Sequence, residues 1–230
     1  MSDLTLPGVA MPQPKSAKPR GQYLHPLPVR FWHWVNALGF VLLILTGFQL
    51  RYTDIFSVVS FETAVKLHNW IGFVVIGNWF IWLGYYLFSG KIEVYHPELD
   101  SRKFFDKAFA QMRYYGYGIF RGEHSPHHVK PLEKFNPMQS ITYQIVMLIV
   151  VPIQFVTGLI LWNIKGFEQW VNLIGGVRVV DTIHVLIFVF FVSFIFIHAY
   201  MGTLGHTPSA HFKEMFTGYE DSEEEGGDNT

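Results

Sequence analysis

Four histidines, His33, His68, His184 and His198, stand near the ends of long apolar stretches of the chain. An imidazole ring can bind a metal or carry a proton, and inside a bilayer it is costly enough to be kept only for a task. His184 and His198 lie fourteen residues apart in Asp181–Tyr200, a stretch almost wholly apolar between them. On a helix that spacing is ~21 Å along the axis and falls only ~40° short of four full turns, so both rings face one side. Four imidazoles at two depths read as two pairs of axial ligands, the arrangement needed by two b-type haems stacked across a membrane.

The elements that must position these rings are four apolar stretches, at 30–50, 67–89, 138–163 and 180–204. Each is long enough for a bilayer, which needs about 20 helical residues. His33 falls just inside the start of helix one, and His68 at the start of helix two. His184 falls near the start of helix four, and His198 near its end. Depth then pairs His68 with His184 at one level and His33 with His198 at the other. The competing reading, four buried histidines bonded to neighbouring backbone or side chains, does not account for the match in depth and facing. The other seven histidines, His25, His96, His124, His127, His128, His206 and His211, fall in connections or tails. The run His124-Ser125-Pro126-His127-His128 reads as a solvated loop rather than a metal site.

Composition agrees with a membrane protein. Of 230 residues, 50% are apolar and 17% aromatic, with 22 Phe, and only 15% are charged, well below the usual quarter for a soluble domain. The chain has no cysteine, which excludes disulfides, thiolate metal sites, an iron–sulfur cluster held by this chain and covalent haem attachment. The net charge of −1 gives no sign of nucleic-acid binding. The expected fold class is an all-α membrane protein, a four-transmembrane-helix bundle holding two b haems, with interfacial amphipathic helices.

Lys and Arg in the connections give the orientation. Thirteen lie in the N-terminal segment, the 90–136 connection and the C-terminal tail. Four, Arg51, Lys66, Lys165 and Arg178, lie in the two remaining connections. Both termini and the 90–136 connection are therefore expected on the cytoplasmic side, and the first helix is read as retained rather than as a cleaved signal. The domain reading is a cytoplasmic tail over 1–29, the di-haem membrane domain over 30–204 and a cytoplasmic tail over 205–230. Within 90–136, Phe104, Phe105, Ala108, Phe109 and Met112 recur at helical spacing opposite Arg102, Lys103, Asp106, Lys107 and Arg113, as in an interfacial amphipathic helix. A shorter helix is expected over Pro208–Phe216, capped by Thr207, and the 164–179 connection, with Gly175 and Gly176, is partly helical. Helices one and three share an echo, Leu45-Thr46-Gly47-Phe48 and Val156-Thr157-Gly158-Leu159. The glycines either let a flat group lie against the backbone or serve helix–helix packing.

Several stretches together resemble a known family. They are Arg30-Phe31-Trp32-His33-Trp34, Leu67-His68-Asn69-Trp70-Ile71-Gly72, Lys134-Phe135-Asn136-Pro137-Met138-Gln139, Ile183-His184 and Ile197-His198-Ala199-Tyr200-Met201. In order and spacing, over roughly 25–217, the chain resembles the cytochrome b subunit of membrane-bound formate dehydrogenases and its relatives in nickel–iron hydrogenases and thiosulfate reductases. The resemblance implies a quinone pocket beside the inner haem, with Asn136 and Gln139 as its amide pair and menaquinone or ubiquinone as substrate. It also implies an iron–sulfur electron-transfer subunit and a catalytic subunit (formate dehydrogenase, hydrogenase or sulfur-compound reductase) as partners, in a bacterial or archaeal cytoplasmic membrane. Asn136 has a second explanation, as an N-cap before Pro137, which Gln139 lacks. Trp32, Trp34 and Tyr200 line such a pocket or belong to an interfacial aromatic belt. Arg30 at the inner level and Arg51, Lys66 and Arg178 at the outer level are candidate haem propionate partners, against simple snorkelling.

The expected activity is an electron relay from an iron–sulfur partner at the outer face to quinone near the cytoplasmic face. The same residues would serve the reverse flow, from quinol to a thiosulfate- or polysulfide-type reductase. A haem-free membrane transporter or anchor is the alternative of another class. Transporters usually carry mid-membrane carboxylates, and these spans have almost none, Asp181 lying at an edge.

Overall fold

The computed structural model describes residues 23–89, 100–123, 126, 137–204 and 207–219. Four helical stretches in it are long and apolar enough to cross a membrane: Leu27–Arg51, Phe61–Phe88, Met138–Trp162 and Val177–Gly202. The first is α1, Leu27–Arg51, which Pro28 opens, where a missing N–H costs nothing. The second is α2, Phe61–Phe88. It begins well before the expected residue 67. Its first turn is polar but well built: Ser60 Oγ accepts the Thr63 N–H at 3.2 Å, and Lys66 pairs with Glu62 at 2.6 Å. Capping, not hydrophobicity, sets this end. The α1–α2 turn is held by Gln49, 2% exposed, which donates to Val59 O at 2.6 Å and accepts from Val58 N at 3.1 Å.

The third span is interrupted. It runs as α4, Pro137–Ile145, then one π-helical stretch, Val146–Val150, then α5, Val151–Trp162. The cause is Pro152. In the π register the Val151 N–H reaches back to Val146 O, so the next carbonyl, Met147 O, faces Pro152, which has no N–H to give. That orphaned carbonyl accepts instead from Trp79 Nε1 of α2 at 3.0 Å. A backbone acceptor left bare in lipid costs several kcal/mol, so the proline and the tryptophan form one device that ties span three to span two.

Between spans three and four, α6, Glu168–Ile174, ends on Gly175 at φ 108° and Gly176 at φ 100°. The Gly176 N–H returns to Val171 O at 2.8 Å, closing the turn as glycine caps do. The fourth span is α7, Val177–Gly202. In the long connection α3, Ser101–Gly116, is capped by Asp100, whose Oδ1 accepts from Arg102 N at 3.0 Å. Of its expected apolar face, Ala108 is buried and Phe104 partly buried, whereas Phe105, Phe109 and Met112 form an exposed stripe. The last helix, α8, is Ala210–Thr217 rather than 208–216. Ser209, not Thr207, holds the N-cap position, and no side chain caps it.

Among the described residues the fold is helical apart from one isolated bridge, Tyr23 to Tyr219. α1 packs most extensively on α2, and α5 on α7, while the two hairpins touch each other less. Gly39 permits the first contact, since a Cβ there would stand 2.5 Å from Val75 Cγ2. The main core, Trp82, Tyr86, Val146, Met147, Val151 and Phe191, joins the hairpins toward one end. Large side chains elsewhere point outward, Phe88 at 92% and Phe196 at 74% exposed, as lipid-facing surfaces do and as water-facing ones rarely do. The start of α1, the end of α7 and α8 share one end, called here the near side; the 52–60 and 163–176 connections mark the far side.

Candidate functional site

On the far side His68 of α2 faces His184 of α7, with ring centroids 6.4 Å apart and planes at 71°. Each ring is held by a threonine on the preceding helix of its own hairpin. Thr46 Oγ1 lies 2.9 Å from His68 Nδ1 and 2.7 Å from Leu42 O. Thr157 Oγ1 lies 3.0 Å from His184 Nδ1 and 2.9 Å from Ile153 O. A hydroxyl has one hydrogen. Donated to the backbone carbonyl, it leaves the oxygen to accept from Nδ1–H, which fixes the neutral tautomer and leaves Nε2 as the unprotonated nitrogen, the one a metal would bind in place of Gln154 at His184. The next residues are Gly47 and Gly158, and a Cβ on either would stand 3.3 Å and 3.2 Å from Cε1 of His68 and His184 respectively. The Thr-Gly echo is therefore a repeated histidine seat: the hydroxyl holds the ring and the missing side chain admits its edge. Sequence reasoning weighed the glycines and missed the threonines. It also missed Gln154, whose Nε2 lies 3.3 Å from His184 Nε2 and whose Oε1 is buried without a hydrogen-bond partner among the described residues.

On the near side His33 of α1 faces His198 of α7, with centroids 6.2 Å apart and planes at 47°. His198 stacks on Phe194 at 5.7 Å, and His33 meets Trp34 edge-on at 5.2 Å. Among the described residues no threonine serves this couple. His33 Nδ1 is buried with no hydrogen-bond partner among the described residues. The helix around His33 is fixed otherwise: Asn36 and Asn78 both donate to Trp32 O, at 3.2 and 3.0 Å. From below, α8 docks against the start of α1. Trp34 Nε1 donates to Met215 O at 3.0 Å, its ring stacks on Phe216 at 4.4 Å, and Arg30 donates to Phe216 O. The segment expected as a tail is thus in part a docked helix.

The family described as prokaryotic cytochrome b561 matches residues 24–218. This chain belongs to the prokaryotic cytochrome b561 family. A protein of Escherichia coli strain K12 named "Putative cytochrome YdhU" is 34% identical over 210 residues, 89% of this chain and 77% of that protein. Two more distant relatives match as well. One, from Azospira oryzae, is named "Putative protein-methionine-sulfoxide reductase subunit YedZ1" and is 23% identical over 191 residues, 79% of this chain and 90% of its own. The other, from Cupriavidus necator, is named "Probable Ni/Fe-hydrogenase B-type cytochrome subunit" and is 22% identical over 198 residues, 79% of this chain and 78% of its own. No solved structure matches the chain significantly. It is a multi-pass membrane cytochrome related to hydrogenase b-type cytochrome subunits, of a family that binds b-type haem.

The residues of this cytochrome b561 fit that group. Among the described residues no three His, Cys, Asp or Glu side chains gather around one point, so a bare metal ion would find two imidazoles and little else. Haem iron brings its own equatorial nitrogens and asks the protein for two axial ligands only. A metal–imidazole bond of about 2 Å on each side, with about 1.2 Å more from each nitrogen to its ring centre, requires centroids about 6.4 Å apart. Both couples meet that span, at 6.4 and 6.2 Å.

The other expected site residues are placed variously. Arg51 pairs with Asp181 at 3.7 Å across the far ends of α1 and α7, and Lys66 pairs with Glu62 within α2. Arg178 is exposed at the start of α7. Gln139 is exposed in the first turn of α4, and Tyr200 is exposed near the end of α7. Asn136 lies outside the described residues, as do His96, His124, His127, His128 and His206.

Proposed function

We propose that this cytochrome b561 is the di-haem membrane subunit of a respiratory oxidoreductase complex. Its far couple, His68 and His184, and its near couple, His33 and His198, would each hold one b haem. The observation that carries this is the pair of facing imidazole couples at two depths, each at the spacing an iron requires. The haems supply reversible one-electron chemistry. The chain's residues orient the ligands and hold them apart along α7, with ~21 Å of helix between His184 and His198. The apolar spans around them keep water out. The near side is cytoplasmic, because thirteen of the seventeen Lys and Arg fall in the sequence at or before the start of span one, between spans two and three, or after span four. A reporter active only outside the cytoplasm and fused after Thr230 will stay silent; strong activity would invert the assignment.

In the proposed direction an iron–sulfur partner at the far side gives electrons to the His68–His184 level. They leave at the His33–His198 level to menaquinone or ubiquinone, which takes its protons from the cytoplasm. The far-side partner is of the hydrogenase or formate dehydrogenase type; the name of the Cupriavidus necator relative supports the first of these. The exposed stripe of α3, Phe105, Phe109 and Met112, suits a helix resting in the near-side lipid interface. Gln139, at the start of α4, and Asn136, just before it, supply hydrogen bonds to a quinone carbonyl without adding charge. Gln139→Ala will slow quinone-linked turnover with both haems retained and still reducible by the partner. Loss of one such bond costs roughly 1–3 kcal/mol where the carbonyl is left unsatisfied. Unchanged quinone kinetics in both the Gln139→Ala and Asn136→Ala proteins would put the pocket elsewhere. Relation to a reductase subunit in Azospira oryzae keeps a second reading in view, the same fold passing electrons outward from quinol.

A further inference from the structure

The two histidine couples differ in one respect that bears on electron flow. Both far rings give their Nδ1 proton to a threonine oxygen, at 2.9 Å for Thr46 and His68 and 3.0 Å for Thr157 and His184. Each of those oxygens is pinned in turn by its own helix, Thr46 through Leu42 O and Leu43 O, Thr157 through Ile153 O and Gln154 O. Thr157 is 5% exposed, so water does not compete for the bond. Among the described residues the near couple has no counterpart. His33 Nδ1 is buried and bonded to nothing among the described residues, and His198 rests on the ring of Phe194. An acceptor on the distal nitrogen raises the basicity of an imidazole ligand. A more basic ligand favours ferric over ferrous iron, and second-shell hydrogen bonding is one of the protein's levers on haem potential. Among the described residues, two such bonds act on the far level and none on the near level.

We propose that Thr46 and Thr157 are positioning residues that make the far haem the lower-potential one of the two, and so the electron-entry level of the chain. This rests on the reading of His68 and His184 as haem ligands. The asymmetry is built by the repeated Thr-Gly seat, one copy per hairpin. An electron arriving at the far side then moves to a haem that holds it more strongly, nearer the Gln139 end of the bundle. The quinol-oxidising alternative would run against this gradient.

The test is a potentiometric titration of the purified full chain, followed by visible absorbance and by the low-spin ferric EPR signals, with haem per chain measured on each sample. The His68→Ala protein identifies the components, and the component it retains is expected to be the higher one. Thr46→Val and Thr157→Val keep the side-chain shape and remove the hydroxyl. Each is expected to shift the lower component upward and leave the higher one in place, and the double variant to shift it further. Thr46→Ser and Thr157→Ser keep the hydroxyl and are expected to return the lower component close to its original value. Unmoved potentials, equal movement of both components, or serine variants that behave like the valine ones would overturn the proposal. If a valine variant loses the far haem, the serine variant decides: haem and low potential restored supports the hydroxyl's role, and loss there too overturns it. A chain that binds no haem at all fails the ligand reading itself, whereas two haems with insensitive potentials fail only this inference.

Discussion

The His68→Ala protein is expected to carry about one haem per chain in place of two, with the spectrum and potential of the near haem intact. His33→Ala should lose the other component. The expectation follows from the separation of the couples: His68 faces His184 and His33 faces His198, with ring centroids 6.4 and 6.2 Å apart. A bis-histidine haem deprived of one axial ligand loses its low-spin character even where the macrocycle stays. The two variants should therefore subtract different halves of the spectrum, provided each is recovered from the membrane at normal levels. Identical losses from both variants would dissolve the pairing.

A second large effect is expected from a side chain added beside a ligand, with all four histidines left in place. A Cβ at position 158 would stand 3.2 Å from His184 Cε1 and 3.8 Å from its Nδ1. Gly158→Val adds two further carbons to that contact, and the ring must turn or retreat. Turning breaks the bond from Nδ1 to Thr157 and points Nε2 away from His68. Overpacking of this kind costs about 1–3 kcal/mol, but its main consequence is loss of the far haem with the near one retained. Gly72→Val is the control, because nothing lies within 4 Å of a Cβ there. Haem per chain and the low-spin EPR signals separate the outcomes. A far haem undisturbed in Gly158→Val would show that this glycine does not seat the histidine.

Much of this arrangement is legible in the sequence because it depends on two simple periodicities. Apolar runs of bilayer length locate four spans, and the fourteen-residue step from His184 to His198 puts both rings on one face of α7. What is not legible depends on partners far along the chain. Sequence reasoning passed over Pro152, and its consequence, the bare Met147 carbonyl taken up by Trp79, needs the neighbouring helix in place. Thr46 and Thr157 each bond an i−4 carbonyl, as many membrane threonines do. Their second partner, a histidine on another helix, cannot be read from local spacing. The apolar pattern places the start of α2 too late because Glu62 and Lys66 dilute its hydrophobicity, while the cap at Ser60 decides the boundary. Arg30 illustrates a different limit. Its type suggested a propionate partner, and its side chain donates to the last turn of α8 through Phe216 O, an interaction that charge alone does not foretell. Arg51 likewise meets Asp181 across the helix ends.

This one chain, with no cysteine and, among the described residues, no third His, Cys, Asp or Glu at either couple, is expected to hold two b haems through four histidines. A pyridine haemochrome assay on the purified unmodified chain, made with haem in excess and referred to its protein concentration, tests it most directly. The account predicts about two haems b per chain; a ratio near one or near zero would contradict it.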